Sequence, residues 1–163
     1  AKELVNLSKE NFEGKYVELA GGLLQWGVRR EDAVVLASLV EREARQAEEQ
    51  AVIAGIFLRR LELGMSLGAC ATVQYALGYQ EDGDGWWKSS ITIPDTEVDS
   101  VYNTYKHAGL PPGPICSPGL AALEAAAAPQ ASEYLYYLHD EDGEIHYAKT
   151  LEGHNRNVVE YLR

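Results

Sequence analysis

Positive charge, cysteine and long apolar runs are all scarce in this chain. Its 163 residues carry 14 Lys and Arg against 25 Asp and Glu, a net charge of −11. That balance argues against nucleic acid as a partner, because phosphate neutralisation needs clustered Lys and Arg. It names no positive partner either, since an acidic surface also keeps a protein in solution. No apolar run approaches the roughly eighteen residues of a membrane span, and nothing resembles a signal peptide. The two cysteines, Cys70 and Cys116, have neither C-x-x-C spacing nor a nearby His, which argues against a zinc site. G-x-S-x-G, a Gly-rich phosphate loop and H-E-x-x-H are all missing, so Ser/His/Asp catalysis has no support and no cofactor is called for. There is no repeat, no low-complexity tract and no second domain boundary. One domain with a real core is expected over 1–163. Helical sequence begins almost at Ala1, which reads as a piece of a longer protein.

What is present begins with "NTYKHAGLPPGPICSPG", residues 103–119, which holds four of the six prolines. Proline fixes φ, lacks an N–H donor and restricts the residue before it, so neither helix nor strand survives there. The stretch also carries Tyr105, Leu110, Ile115 and Cys116, so it is a stiff, half-apolar loop, suited either to crossing the surface or to walling a site.

Around it the periodicities predict a mostly helical α+β domain with one small antiparallel hairpin. Residues 1–7 read as a strand or extended lead, with Ser8 as N-cap of a helix carrying Phe12, Tyr16, Leu19 and Leu23, weakened by Gly21 and Gly22. A second helix starts near Arg30 to Asp32 and is apolar at nearly every position from Ala33 to Val40, hence buried on more than one side. A third spans about Glu48 to Leu63, with Gly64 as its stop. "ATVQYALG" is a short helix. Ser117 as cap and Pro118 at the first helical position open another, ended by Pro129. "EYLYYLHDEDGEIHYAKT" reads as a hairpin turning at Asp142-Gly143, and a last helix covers about Leu151 to Leu162.

Three constellations carry chemistry. Glu41 and Glu43 close the most buried helix, about 200° apart around its axis, so they cannot share one site. A carboxyl at the edge of an apolar wall is disfavoured as an anion and suited to donating a proton. The plainer reading pairs one or both with Arg42, Arg45 or Arg59. With a two-residue turn, His139 and His146 fall opposite each other beside Asp140, as a metal pair or an ordinary cross-strand contact. "DGDGWW" starts like a calcium loop but lacks its closing Glu. Ten tyrosines and three tryptophans, with Trp86, Trp87, Tyr102 and Tyr105 near the proline loop, are either sugar-stacking walls or ordinary packing.

Four stretches in order, "LASLVEREA", "ATVQYALG", "VYNTYKHAGLPPGPICSPGLAALEAA" and "YLYYLHDEDGEIHYAKTLEGHN", resemble the MltG (YceG-like) family of endolytic murein transglycosylases, formerly described as aminodeoxychorismate lyases. The resemblance covers roughly residues 10–162. It implies a lysozyme-like catalytic domain cutting peptidoglycan between MurNAc and GlcNAc, on the extracytoplasmic face of a bacterial membrane. The implied whole protein has an N-terminal membrane anchor, a LysM-like subdomain and the cell-wall synthesis machinery as a partner. It places the catalytic role on Glu41, first acid of the "VERE" motif, with Glu43 supporting it. Thr72, Gln74, Tyr75, Tyr102, Asn103, Thr104 and Tyr105 fall in substrate-binding stretches, and the proline loop becomes a preformed groove wall. A lytic transglycosylase needs one carboxyl, acid then base.

The chain departs from the family where "LGAC" puts Gly68 and Cys70 at usual Gln and Asp positions, where Cys116 takes a small-residue position, and at Val101. Both cysteines lie in motif loops, either as a Cys70–Cys116 disulfide, worth about 4 kcal/mol in the chain-entropy model, or as two unrelated small buried residues. Two other functions stay open: a peptidoglycan-binding module with impaired catalysis, and the older lyase description, which would need pyridoxal phosphate on a lysine that has no recognisable context here.

Overall fold

Alternating burial and capping divide the chain as the computed structural model shows for residues 2–25, 29–81 and 85–162. Six helices are described: α1 (Lys2–Gln25), α2 (Arg30–Glu43), α3 (Ala47–Glu62), α4 (Cys70–Leu77), α5 (Leu120–Ala127) and α6 (Leu151–Tyr161). A two-stranded antiparallel sheet, β1 (Tyr136–His139) and β2 (Ile145–Ala148), separates the last two. The class is α+β, as expected.

The core forms because α2 and α3 each bury an apolar stripe against α5. Leu36, Leu39, Val40, Ile53 and Phe57 are fully enclosed. Alanines 122, 125 and 126 give α5 a face thin enough for both partners to approach closely. Truncating Leu36 or Phe57 to Ala would cost about 2–5 kcal/mol. Gln46 and Glu49 cap α3 reciprocally, each side chain taking the other's backbone N–H, and the helix stops just before Gly64.

The proline loop is fastened at both ends rather than draped. Ser38 Oγ, inside α2, accepts from Ile115 N at 3.0 Å while donating to Val35 O at 2.7 Å. The Asn103 amide donates to Thr96 O and Val98 O, both at 2.9 Å. Thr104 binds the α4 entry through Gly68 N, Ala69 N and Thr72 Oγ1.

Four readings change, and a fifth falls outside the described residues. Residues 2–7 are helical, so Ser8 lies inside α1 rather than capping it, and the side chains of 16–25 fall outside those described. The cap of α5 is Gly119, with Ser117 and Pro118 preceding the helix, because the proline loop stays extended that far to keep its hold on α2. The hairpin pairs Leu138 with His146 and His139 with Ile145, one residue away from the expected register. Asp140 and Glu144 also pair, leaving a three-residue turn in which Gly143 takes φ +88°, a conformation glycine adopts without Cβ strain. A one-residue change sends alternate side chains to opposite faces, so the two histidines do not meet. The disulfide is not formed: Cys70 and Cys116 are free thiols, bonded separately to Tyr105 and Ser38. The calcium-like start at Asp82 to Asp84 lies outside the described residues.

Candidate active site

The end of α2 points two carboxylates in two directions, as the 200° separation requires. Glu41 is exposed and lies against Gly119, where a Cβ would sit 3.7 Å from its Oε2. The expected apolar enclosure is therefore not supplied around Glu41 by the chain. Its charge reaches Cys116, whose thiol is pushed up first by burial and then by Glu41.

Glu43 is half-buried and fully engaged. Its Oε1 accepts from Ala71 N at 3.1 Å and its Oε2 from Tyr137 OH at 2.9 Å. The first bond has a local cause: the cap residue of α4 is Ala69, which has no side-chain oxygen, so an orphan N–H of the first turn takes a carboxylate from another element. The second requires β1 to deliver Tyr137 across 94 residues of sequence. Burial, then Glu43, raises the Tyr137 phenol well above its ordinary value, keeping it a donor.

Glu43 opens onto a cleft of about 800 Å³. One wall is the turn from Met65 to Gly68 with Cys70 and Tyr105; the other is β1 with His154 of α6; Arg45 and Arg60 complete it. Cys70 Sγ and Tyr105 OH lie 3.2 Å apart, and burial raises both groups. Behind β1, His139 Nε2 meets Glu49 at 2.9 Å in a nearly enclosed pair. Burial alone would raise the Glu49 carboxyl, but His139 and the Arg45 and Gln46 amides outweigh it and hold it low.

On the other flank an aromatic shelf runs from Tyr102 to Tyr75 at 4.7 Å and on to Trp87 at 6.0 Å. Arg42 lies over Trp87 at 4.8 Å and donates to Gln74 Oε1, while Gln74 Nε2 donates to Lys88 O. Trp86 and Tyr79 extend the shelf and are exposed by 63% and 59%.

The predicted site residues thus divide. Glu43, Cys70 and Tyr105 meet in the cleft; Gln74, Tyr75 and Tyr102 form the shelf; Glu41 and Cys116 sit together beside α5. Thr72, Asn103 and Thr104 are buried and bonded within the fold, so they brace the walls instead of facing a ligand. Sequence reasoning missed Tyr137, Arg60 and His154, and named Arg45 only as an ion-pair partner for the α2 carboxylates. The alternation in "YLYYLH" marks one tyrosine of β1 as inward-facing, a signal for Tyr137 only.

Asp140, Glu144 and His146 hold ligand-capable atoms within 4.8 Å of one another. Their contacts complete the turn: His146 bonds Asp140 at 2.7 Å, Asp140 accepts from Glu144 N, and His146 stacks on Tyr161 at 3.6 Å.

Fold and cleft together define a helical α+β domain that presents one held carboxyl at a helix end, between tyrosine walls. The sequence model of the YceG-like family matches residues 1–160, and the chain belongs to that family. A Bacillus subtilis protein named endolytic murein transglycosylase is 40% identical over 129 residues, covering 79% of this chain and 34% of its own length. A Streptococcus pneumoniae protein of the same name is 38% identical over 132 residues, or 80% and 24%. The chain therefore spans about a third to a quarter of these relatives. The crystal structure of a yceG-like protein from Listeria monocytogenes superposes with a TM-score of 0.81 at 37% identity, over 95% of this chain and 47% of that one. No described helix is long and apolar enough to cross a membrane.

Proposed function

We propose that this chain is the catalytic domain of an endolytic peptidoglycan transglycosylase and that Glu43, rather than Glu41, carries the chemistry. The observation that supports this is the setting of Glu43: a helix-end carboxyl facing the cleft, with one donor on each oxygen. Ala71 N and Tyr137 OH fix its orientation at the edge of the cleft. A proton transfer group must be held within hydrogen-bond reach of the reacting atom; Glu43 is fixed at the cleft by two donors, whereas Glu41 is exposed.

Glu43, in its acid form, donates its proton to the oxygen between MurNAc C1 and GlcNAc. The C1–O bond breaks with the electron pair leaving on that oxygen, and positive charge develops at C1. The carboxylate so formed then takes the proton of the MurNAc C6 hydroxyl, O6 closes on C1, and a 1,6-anhydro end results. The acid is regenerated and no water is consumed, so a single carboxyl suffices. The aromatic shelf offers ring faces to neighbouring sugars, and the braced proline loop holds the groove open at low ordering cost. The full protein acts outside the cytoplasmic membrane, where murein lies, on an N-terminal anchor and alongside the cell-wall synthesis machinery.

Digestion of purified murein with the native chain, Glu43→Gln and Glu41→Gln, read by mass spectrometry, tests the assignment. Ends lighter by one water are expected from the native chain and Glu41→Gln and not from Glu43→Gln. Loss in Glu41→Gln alone returns the role to Glu41. Tight glycan binding without anhydro ends from the native chain identifies a binding module.

A further inference from the structure

The arginines of this acidic chain are not used alike. Arg29, Arg30, Arg59 and Arg156 each sit against a carboxylate. Arg42, Arg45 and Arg60 have none within ion-pair distance among the described residues, although the chain holds 25 acids. Two of the three, Arg45 and Arg60, line the Glu43 cleft. Arg60 reaches it from α3, donating through Nε to Leu135 O at 2.6 Å and through Nη1 to Leu67 O, with its guanidinium 5.1 Å from the Tyr136 ring centre. These neutral carbonyls hold the group in place without cancelling its charge, and its Nη2 makes no hydrogen bond among the described residues. The charge is felt across the cleft: His154 is pushed down by burial and by Arg60. Arg45 at the rim spends one N–H on Asp140 O and is otherwise exposed. Among the described residues Glu43 is the one carboxylate lining the cleft, and its donors there are Tyr137 and Ala71 rather than either guanidinium.

A cleft with two uncompensated guanidiniums, in a molecule of net charge −11, is built for an anion. A guanidinium donates to a carboxylate through its free N–H groups, and among the described residues Arg60 keeps Nη2 and Arg45 most of its fork for that purpose. We propose that this cleft is the subsite for the peptide stem of the glycan strand, with Arg60 at its floor and Arg45 at its rim taking a stem carboxylate. The inference rests on the murein reading above: the stem hangs from the lactyl group of MurNAc, on the sugar that Glu43 would attack. Stem recognition and bond cleavage then share one cavity, and strands that carry stems are preferred over bare ones.

The first test is calorimetric titration of the chain with the tetrapeptide L-Ala-γ-D-Glu-L-Lys-D-Ala and with its analogue in which the carboxylates are carboxamides. The acid peptide is expected to bind roughly tenfold or more tightly than the carboxamide, and Arg45→Gln and Arg60→Lys should each erode that ratio. Arg45 is exposed, so its variant carries the test if the Arg60 variant does not fold. Equal binding of the two peptides, or a ratio kept in Arg45→Gln, overturns the proposal. So does full displacement of the peptide by inorganic phosphate at matched ionic strength, which would make the site a general anion site. The second test is the rate on stem-bearing strands divided by the rate on amidase-stripped strands. It should exceed one and fall toward one in Arg45→Gln. Cleavage with no stem preference ends the stem proposal and leaves the transglycosylase standing. Carboxylate-dependent binding without cleavage of either strand does the reverse.

Discussion

Gly55→Ala is the substitution on which two well-understood effects give opposite signs. Gly55 lies in the middle of α3, where exchanging glycine for alanine ordinarily stabilises by about 1 kcal/mol through backbone entropy and helix propensity. Here a methyl group would lie 1.9 Å from the Gln130 carbonyl oxygen and 3.0 Å from its carbon. An ordinary C···O approach is about 3.3 Å, so the two must separate by roughly 1.4 Å. The obstacle is backbone, not a side-chain tip, and it is tied to α3 itself by Gln130 N donating to Ala51 O at 2.9 Å. Overpacking of this kind costs about 1–3 kcal/mol, and a pinned backbone puts it at the upper end. The net expectation is a loss of about 2 kcal/mol, or about 4–8 °C in Tm for a chain of this size. Urea and thermal unfolding should show it. Gly14→Ala in α1 is the control, since nothing lies within 4 Å of its added methyl, and it should gain about 0.5–1 kcal/mol. If Gly55→Ala matches or exceeds the native chain in stability, the close crossing of residues 129–135 over α3 is wrong. The delivery of β1 to Glu43 would be wrong with it.

Tyr137→Phe removes the donor to Glu43 Oε2 and should cost about 1.5–3 kcal/mol in urea unfolding, with kcat on murein falling about tenfold while KM changes little. Glu49→Gln probes acid sensitivity. The folded Glu49 carboxyl is held below its ordinary 4.5, so its stabilisation is fully present above that value and lost as pH falls through the lower folded value. The variant should therefore trail the native chain at pH 7, by about 1–3 kcal/mol, with the gap closing as pH falls below 4.5. Thiol titration without reductant should find two free thiols after denaturation. In the folded protein the exposed Cys70 should react with maleimide at pH 7 faster than the half-buried Cys116.

The extent and order of the helices were legible because their apolar spacing and stops are local properties. α2, α3, α4 and α6 begin and end within a few residues of the periodicity reading. The hairpin was legible as a pair of strands but not in register, since a two-residue and a three-residue turn around Asp142-Gly143 differ by one residue that composition does not weigh. The separation of Glu41 from Glu43 followed from helix geometry, yet which of them meets the cleft depends on where α4 and β1 pack, and no local pattern carries that. Asn103 and Thr104 read as groove residues because the family resemblance places them in substrate-binding stretches; the fold uses them in bracing α4 and the 94–98 turn. Arg60 was invisible because its role consists of reaching two backbone carbonyls 7 and 75 residues away.

The hairpin and α6 pack on each other. Among the described residues they meet the helical core through polar fastenings, Tyr137 to Glu43, His139 to Glu49, Arg45 to Asp140 and Arg60 to Leu135, and through the apolar contacts of Tyr137 and Ile145. Such a segment opens as a unit, at a free energy below that of the α2–α3–α5 core. Native-state hydrogen exchange would therefore find residues 136–161 releasing their amide protons together, ahead of the core. The cleft is then a seam between a permanent half and a detachable half. A strand held in the seam would clamp the detachable half in place, so occupancy of the site can be read as slowed exchange in a segment that contributes a single bond to the carboxyl at its centre.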